Sequence, residues 1–108
     1  MEKELRIIKE VILETAKRHG IYVEKIILFG SRARGEGRED SDWDILIVTK
    51  EKLDWKTERK FFSEVGWNLV NREIVPEIII VDSKTFAEKR VFSGYVYYHA
   101  EREGIVVA

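Results

Sequence analysis

Two aspartates stand two positions apart at the head of an apolar run, in the sequence Asp42-Trp43-Asp44-Ile-Leu-Ile-Val. Because side chains alternate across a β-strand, both carboxylates would leave the same face, with their Cα atoms roughly 6.5 to 7 Å apart. Hard carboxylate ligands, with no His or Cys nearby, suit Mg²⁺ or Mn²⁺. A bare Asp-x-Asp also occurs in polar turns that cap helices or face solvent. The pair alone therefore leaves a metal site and a simple turn both open.

Gly30 and Ser31 close another apolar run and add a second chemical feature. A glycine at a strand end lets the backbone approach a ligand closely, and a helical turn after it would direct N–H groups at an anion such as phosphate. The segment that follows contains three arginines, which can bind phosphate oxygens through their planar guanidinium groups: Arg32, Arg34 and Arg38. An alternative is a flexible turn in which these arginines pair with nearby acids: Glu36, Glu39 and Asp40.

The spacing of these features resembles a known family. Gly30-Ser31, ten residues and then Asp42-x-Asp44 resemble the Gly-Ser…Asp-x-Asp signature of the DNA polymerase β nucleotidyltransferase superfamily. Within that superfamily, GSRARGEGREDSDWDILIV is most similar to the minimal nucleotidyltransferases of bacteria and archaea, and the resemblance extends over nearly the whole chain. It implies a nucleotidyltransferase fold, ATP as the nucleotide and two Mg²⁺ ions, with Mn²⁺ as an alternative metal.

The resemblance also implies a third acid on a neighbouring strand, which completes the metal pair. We assign it to Glu77, at the start of PEIIIVD, where an acid among apolar residues needs a partner. Many relatives carry Asp there, and Glu77 could instead face solvent at a strand end. Asp82 is the alternative third acid, although it could also cap a helix. The predicted catalytic and metal-binding residues are thus Asp42, Asp44 and Glu77, and the predicted nucleotide-binding residues are Gly30, Ser31, Arg32 and Arg34.

The elements that must position these residues follow from hydrophobic periodicity. The sequence predicts a helix over residues 2–19, strands at EKIILFG, WDILIVT and PEIIIVD, and a helix capped by Asp54 that runs to about Arg72. The inward face of that helix is predicted to be Phe61, Phe62, Val65 and Leu69. A last helical region starts at Asp82 or Ser83, breaks near Ser93-Gly94 and ends at Gly104 before the apolar tail IVVA. This order predicts one domain over residues 1–108, with a sheet covered by helices. The family resemblance implies an α+β fold with a mixed sheet of three or more strands flanked by helices.

Composition limits the function classes. The chain has 19 Lys and Arg against 20 Asp and Glu, a net charge of -1, so no strong nucleic-acid or membrane binding is expected. The absence of cysteine excludes disulfides, thiolate metal sites and a cysteine nucleophile. Neither a signal-peptide pattern nor a long apolar run is seen, and a cytoplasmic location is expected.

Several residues are predicted to have structural or binding roles. His19 would cap the first helix, and His99 has no acid or serine at an obvious relay spacing. Some of the C-terminal aromatics and the IVVA tail exceed what one small core can bury, which predicts a homodimer or a hetero-complex. These aromatics are Phe92, Tyr95, Tyr97 and Tyr98.

Two functions fit these observations. One is metal-dependent transfer of AMP from ATP to a hydroxyl, with Tyr of a helical HEPN-type ribonuclease as the acceptor that the family resemblance implies. The other is an antitoxin-like binding protein that neutralises a helical toxin by contact, with any nucleotide site incidental. Both aspartates of the Asp-x-Asp motif are present, which favours the enzyme.

Overall fold

The computed structural model describes all 108 residues of the chain as a four-stranded mixed sheet with five helices. The elements in chain order are α1 (Glu2–Arg18), β1 (Val23–Phe29), α2 (Gly30–Ala33), β2 (Trp43–Thr49), α3 (Trp55–Asn71), β3 (Pro76–Asp82), α4 (Ser83–Lys89), α5 (Val96–Glu103) and β4 (Ile105–Val106). The predicted α+β class, with a mixed sheet flanked by helices, is confirmed.

The strand order is β3-β2-β1-β4. β1 pairs antiparallel with β2 and with β4, whereas β2 and β3 are parallel and are joined by the α3 crossover. The parallel pairing brings the first residues of β2 and β3 to the same edge of the sheet, with Asp44 directly opposite Glu77. Two acids that are far apart in sequence thus become neighbours.

Each face of the sheet has its own apolar core because side chains alternate along the strands. Ile45 and Ile47 of β2 face α1 and α3, in a cluster that includes Phe61, Val65 and Leu69. Leu46 and Val48 face the other way and pack with Phe86 of α4 and Ala100 of α5. By the same alternation Asp44 lies on the α4 and α5 face, next in line to Leu46.

The prediction that Phe62 faces inward is wrong. Phe61 is fully buried, but the Phe62 residue is 48% exposed. The buried stripe of α3 follows positions 61, 65 and 69, and residue 62 lies about 100° further around the helix. Phe62 instead lines a cleft between α3 and β3, together with Trp55, Ile78 and Ile80.

The apolar tail forms a fourth strand that the sequence did not predict. β4 pairs with β1 at Ile27 and Leu28, and Val107 donates its backbone N–H to the Ile26 carbonyl at 2.7 Å. Gly104 permits this return because a Cβ there would lie 2.3 Å from the Ala100 carbonyl oxygen. Part of the tail is therefore absorbed by the sheet, while Val106 stays exposed.

No helix in the chain combines the length and the apolar character that a bilayer crossing requires.

Candidate active site

Gly30 and Asp44 are in direct contact at the edge of the sheet. Phe29 pairs with Asp44 across β1 and β2, so the turn from β1 into α2 begins beside the Asp44 carboxylate. Gly30 has φ +73°, and a Cβ there would lie 2.0 Å from Asp44 Oδ2. Only glycine fits both this left-handed backbone and the carboxylate beside it.

Asp42 and Asp44 flank the buried Trp43 at the start of β2. Trp43 is 5% exposed and belongs to the core on the α1 and α3 face. Asp44 therefore projects from the opposite face, and Asp42, directly before β2, lies near enough for its charge to raise the pKa of Asp44. Asp42 is exposed and Asp44 is half-buried.

Glu77 lies beside Asp44, and Asp82 does not. Glu77 pairs with Asp44 in the parallel register, whereas Asp82 ends β3 further along, opposite Thr49. At the rise of a strand this separation is about 16 Å. Asp82 caps α4, where its carboxylate accepts hydrogen bonds from the Thr85 N–H (3.0 Å) and the Thr85 hydroxyl (2.8 Å). The acid adjacent to the aspartate pair is therefore Glu77.

Burial and the neighbouring acids both disfavour the charged form of Asp44. Burial, then the hydrogen bond and the negative charge of Glu77, and then the charge of Asp42 raise the pKa of Asp44 to about 6, and Arg34 opposes the rise. Burial and nearby negative charges both make the ionised form of a carboxyl group less favourable. The site therefore favours a compensating positive charge, either a proton or a cation.

The three acids have the right chemistry for a divalent ion, but their side chains do not converge on a single point. No group of three or more His, Cys, Asp or Glu residues in the chain has the geometry to hold an ion as the side chains stand. The donor set nonetheless fits Mg²⁺ or Mn²⁺, which bind carboxylate oxygens and complete their shells with water and phosphate.

The two predicted nucleotide-binding arginines have different surroundings. Arg34 is exposed, lies near enough to influence Asp44, and pairs with Glu36 (3.3 Å) and Glu103 (3.7 Å). Arg32 instead donates hydrogen bonds to backbone carbonyls of the loop before β2 and lies over the Trp43 ring. The sequence offered no signal for this second arrangement, because both arginines follow the same Gly-Ser motif.

Ser31 is the second residue of the short helix α2, which has no side-chain cap at its N-terminus. It is half-buried and directly follows Gly30, which contacts Asp44. The two histidines lie elsewhere: His19 is the C-cap of α1 and His99 lies 3.0 Å from the Ser93 carbonyl oxygen.

The acid site lies on open surface. The principal clefts of the chain lie along α3 and β3, beside α4, beside α1, and at the Asp82 end of β3, and none of them is lined by the three acids. The volume of the cleft at the Asp82 end is about 590 Å³, but it is at the opposite end of the strand from Glu77.

Comparison with known proteins identifies the family of this chain. A family model described as polymerase beta, nucleotidyltransferase matches residues 10–103. A Methanocaldococcus jannaschii protein described as "putative protein adenylyltransferase MJ0604" is 44% identical over 52 residues, which are 48% of this chain and 52% of the relative. The chain thus matches about half the length of that curated relative.

Solved structures share the fold. A protein described as a "putative minimal nucleotidyltransferase" superposes with a TM-score of 0.61 and 26% identity, over 95% of this chain and 92% of the other. A chain from the complex of a tri-AMPylated Shewanella oneidensis HEPN toxin with an MNT antitoxin superposes with a TM-score of 0.57, over 96% of this chain and 71% of the other. The second likeness, at 14% identity, concerns the fold alone.

Proposed function

Because this chain belongs to the polymerase β nucleotidyltransferase family, we propose that it moves AMP from ATP to a hydroxyl group of a partner protein. The observation that carries the proposal is the contact between Gly30 and Asp44, with Glu77 alongside. The glycine lets a phosphate chain approach the backbone closely, and the acids can bind a divalent metal. A nucleoside triphosphate bound together with Mg²⁺ would use both features.

Each residue of the site has a role in this reaction. Asp42 and Asp44 would hold the metal ions, and Glu77 would complete one of the two sites. Gly30 and Ser31 approach the terminal phosphates through the backbone of the β1–α2 turn. Arg34 offsets the charge that develops on the leaving pyrophosphate. When bound, paired Mg²⁺ or Mn²⁺ ions would supply the charge that stabilises the attacking and leaving oxygens of an in-line displacement.

The raised pKa of Asp44 supports metal binding at this position. Burial and the negative charges of Glu77 and Asp42 disfavour the ionised form of Asp44, and a bound cation would offset that penalty. Metal would thus bind most tightly above about pH 6, because Asp44 is already ionised there and the ion need not displace a proton from it.

The open surface around the acids favours a protein acceptor over a small molecule. Small substrates are usually enclosed in concave pockets, and no principal cleft contains these acids. A partner can present its own hydroxyl across an open face. The relative named as a protein adenylyltransferase and the fold shared with a complex containing an AMPylated HEPN toxin support a HEPN-type partner. Tyrosine as the acceptor rests on the family resemblance of the sequence.

A binding-only function is the second candidate. Several apolar residues around the α4–α5 connection are exposed, among them Val91, Phe92, Tyr95 and Val96. An exposed apolar surface of this kind is typical of protein contact sites. It would let the chain neutralise a toxin, or form a homodimer or hetero-oligomer, without chemistry.

The test is intact-mass spectrometry of a candidate HEPN-type partner protein, after incubation with this chain, ATP and Mg²⁺. Wild type should add one or more AMP groups, and Asp44→Asn should add none. Asp40→Asn is the matched control, because it makes the same change in the exposed loop before the site. Toxin neutralisation without added AMP, equal for wild type and Asp44→Asn, would favour the binding-only function.

A further inference from the structure

Arg32 binds the loop between α2 and β2 through three hydrogen bonds. Its Nε and Nη2 atoms donate to the Ser41 carbonyl oxygen at 3.2 and 2.9 Å, and Nη2 also donates to the Glu39 carbonyl oxygen at 3.1 Å. The guanidinium carbon lies 4.4 Å from the centre of the Trp43 ring. Arg32 therefore contacts the residues immediately before and after Asp42.

The surroundings of Arg32 hold its side chain in this position. On one side is Gly37, where a Cβ would lie 2.6 Å from Arg32 Cδ. On the other side is Trp43, which is buried and donates its backbone N–H to the Val75 carbonyl oxygen at 2.9 Å. The Arg32 side chain is thus packed between Gly37 and the Trp43 ring, which contact its aliphatic chain and its guanidinium group.

We propose that Arg32 is a positioning residue that fixes the backbone on both sides of Asp42 and so holds the Asp42 carboxylate ready to bind metal. This inference rests on the metal-binding role of Asp42 in the proposed function. It assigns Arg32 to the loop rather than to the phosphates of the nucleotide.

The chemistry of arginine explains why this residue type is needed. A planar guanidinium can donate in a fork to one carbonyl, reach a second, and stack on an indole ring at the same time. A lysine at position 32 would keep the positive charge but has a single ammonium head, and could not make all of these contacts. The pair of substitutions Arg32→Lys and Arg32→Ala therefore separates charge from geometry.

The first readout is amide hydrogen exchange over residues 38–43, measured without metal or nucleotide. Native hydrogen bonds involve the backbone N–H groups of Arg38, Ser41 and Trp43 in this segment. Arg32→Lys and Arg32→Ala should both speed exchange there by about tenfold, since several loop hydrogen bonds are lost together. Arg38→Lys is the matched control, because the Arg38 side chain makes no hydrogen bond or ion pair, and only its backbone N–H and carbonyl groups bond to Ser41.

The second readout is the affinity for Mn²⁺ alone, measured by the electron paramagnetic resonance of the free ion. Loss of an outer-shell contact weakens metal binding about 10-fold or more, so both Arg32 variants should lose affinity to a similar extent and Arg38→Lys should not. Gly37→Ala should reproduce the loss with Arg32 still present, because it displaces the side chain.

Unchanged exchange in the Arg32 variants would overturn the loop role, and faster exchange with unchanged Mn²⁺ affinity would overturn the link to Asp42. Full retention of Mn²⁺ affinity by Arg32→Lys but not by Arg32→Ala would show that charge alone matters, which also overturns the proposal. A wild-type protein that binds no Mn²⁺ would instead refute the proposed function, and the loop role would then be decided by hydrogen exchange.

Discussion

Replacing Asp44 with asparagine is expected to stabilise the metal-free protein while it removes the proposed activity. The asparagine side chain would keep the shape of the carboxyl group but carry no charge next to Glu77 and Asp42. The folded-state pKa of Asp44 is raised from its ordinary 3.8 to about 6, so ionising this group in the native state opposes folding. Removal of that charge should therefore raise the free energy of unfolding at neutral pH.

The magnitude follows from the size of the pKa change. Without solvent screening, a rise in the pKa of Asp44 from 3.8 to about 6 corresponds to about 3 kcal/mol of folding free energy. Asp44 is only half-buried, and solvent screening reduces the expected gain to about 1 kcal/mol. For a chain of this size that gain is a rise in Tm of about 4 °C.

The contribution of Asp44 to the free energy of unfolding changes with pH in a defined direction. With a folded-state pKa above the unfolded one, the favourable contribution of Asp44 is fully present below about pH 3.8 and is lost as pH rises through about 6. Thermal denaturation in EDTA should thus show Asp44→Asn and wild type converging near pH 4 and separating above pH 6. Added Mg²⁺ should stabilise wild type and not the variant, because only wild type binds the ion.

Asp40→Asn serves as the control, since that aspartate is exposed in the loop before the site. An Asp44→Asn variant that is less stable than wild type in mildly alkaline buffer without metal would refute the electrostatic reasoning. The same conclusion would follow if the difference between the two proteins did not change with pH.

Three further results are expected. Phe61→Ala should lower the free energy of unfolding by about 3 to 5 kcal/mol and Phe62→Ala by far less, because Phe61 is fully buried and the Phe62 residue is 48% exposed; equal losses in urea denaturation would contradict the packing of α3. Gly30→Ala should abolish Mn²⁺ binding, whereas Gly35→Ala should keep it, because both glycines have positive φ but only a Cβ at Gly30 meets a carboxylate; equal effects would mean that backbone strain alone matters. Asp82→Ala should cost about 1 kcal/mol as a lost helix cap and leave Mn²⁺ affinity intact, and a loss of affinity would return Asp82 to the metal site.

Much of the fold could be predicted because local rules agree with the tertiary structure. The three long strands lie where β-branched runs predicted them, and Asp54 caps α3 by accepting a hydrogen bond from the Thr57 N–H. The break between α4 and α5 contains Ser93-Gly94, as predicted. Asp44 and Glu77 are neighbours because β2 and β3 are parallel and begin at the same end of the sheet.

Other features depend on contacts that no local pattern contains. Phe62 has the same residue type as Phe61, and the way α3 packs on the sheet decides that Phe61 is buried while Phe62 lines the cleft beside β3. The strand β4 has only two residues, too few for periodicity to indicate pairing. Arg32 follows a Gly-Ser motif that favours phosphate binding, and only the folded loop reveals carbonyl oxygens within reach of its guanidinium.

The most direct test of the proposed reaction compares two radioactive labels. This chain and its HEPN-type partner would be incubated with Mg²⁺ and ATP that carries the label on either the α or the γ phosphate, and label on the partner would be measured after gel separation. Transfer of AMP predicts partner labelling from α-labelled ATP only, with none in the Asp44→Asn reaction. Labelling from γ-labelled ATP, or equal labelling with wild type and Asp44→Asn, would contradict nucleotidyl transfer at this site.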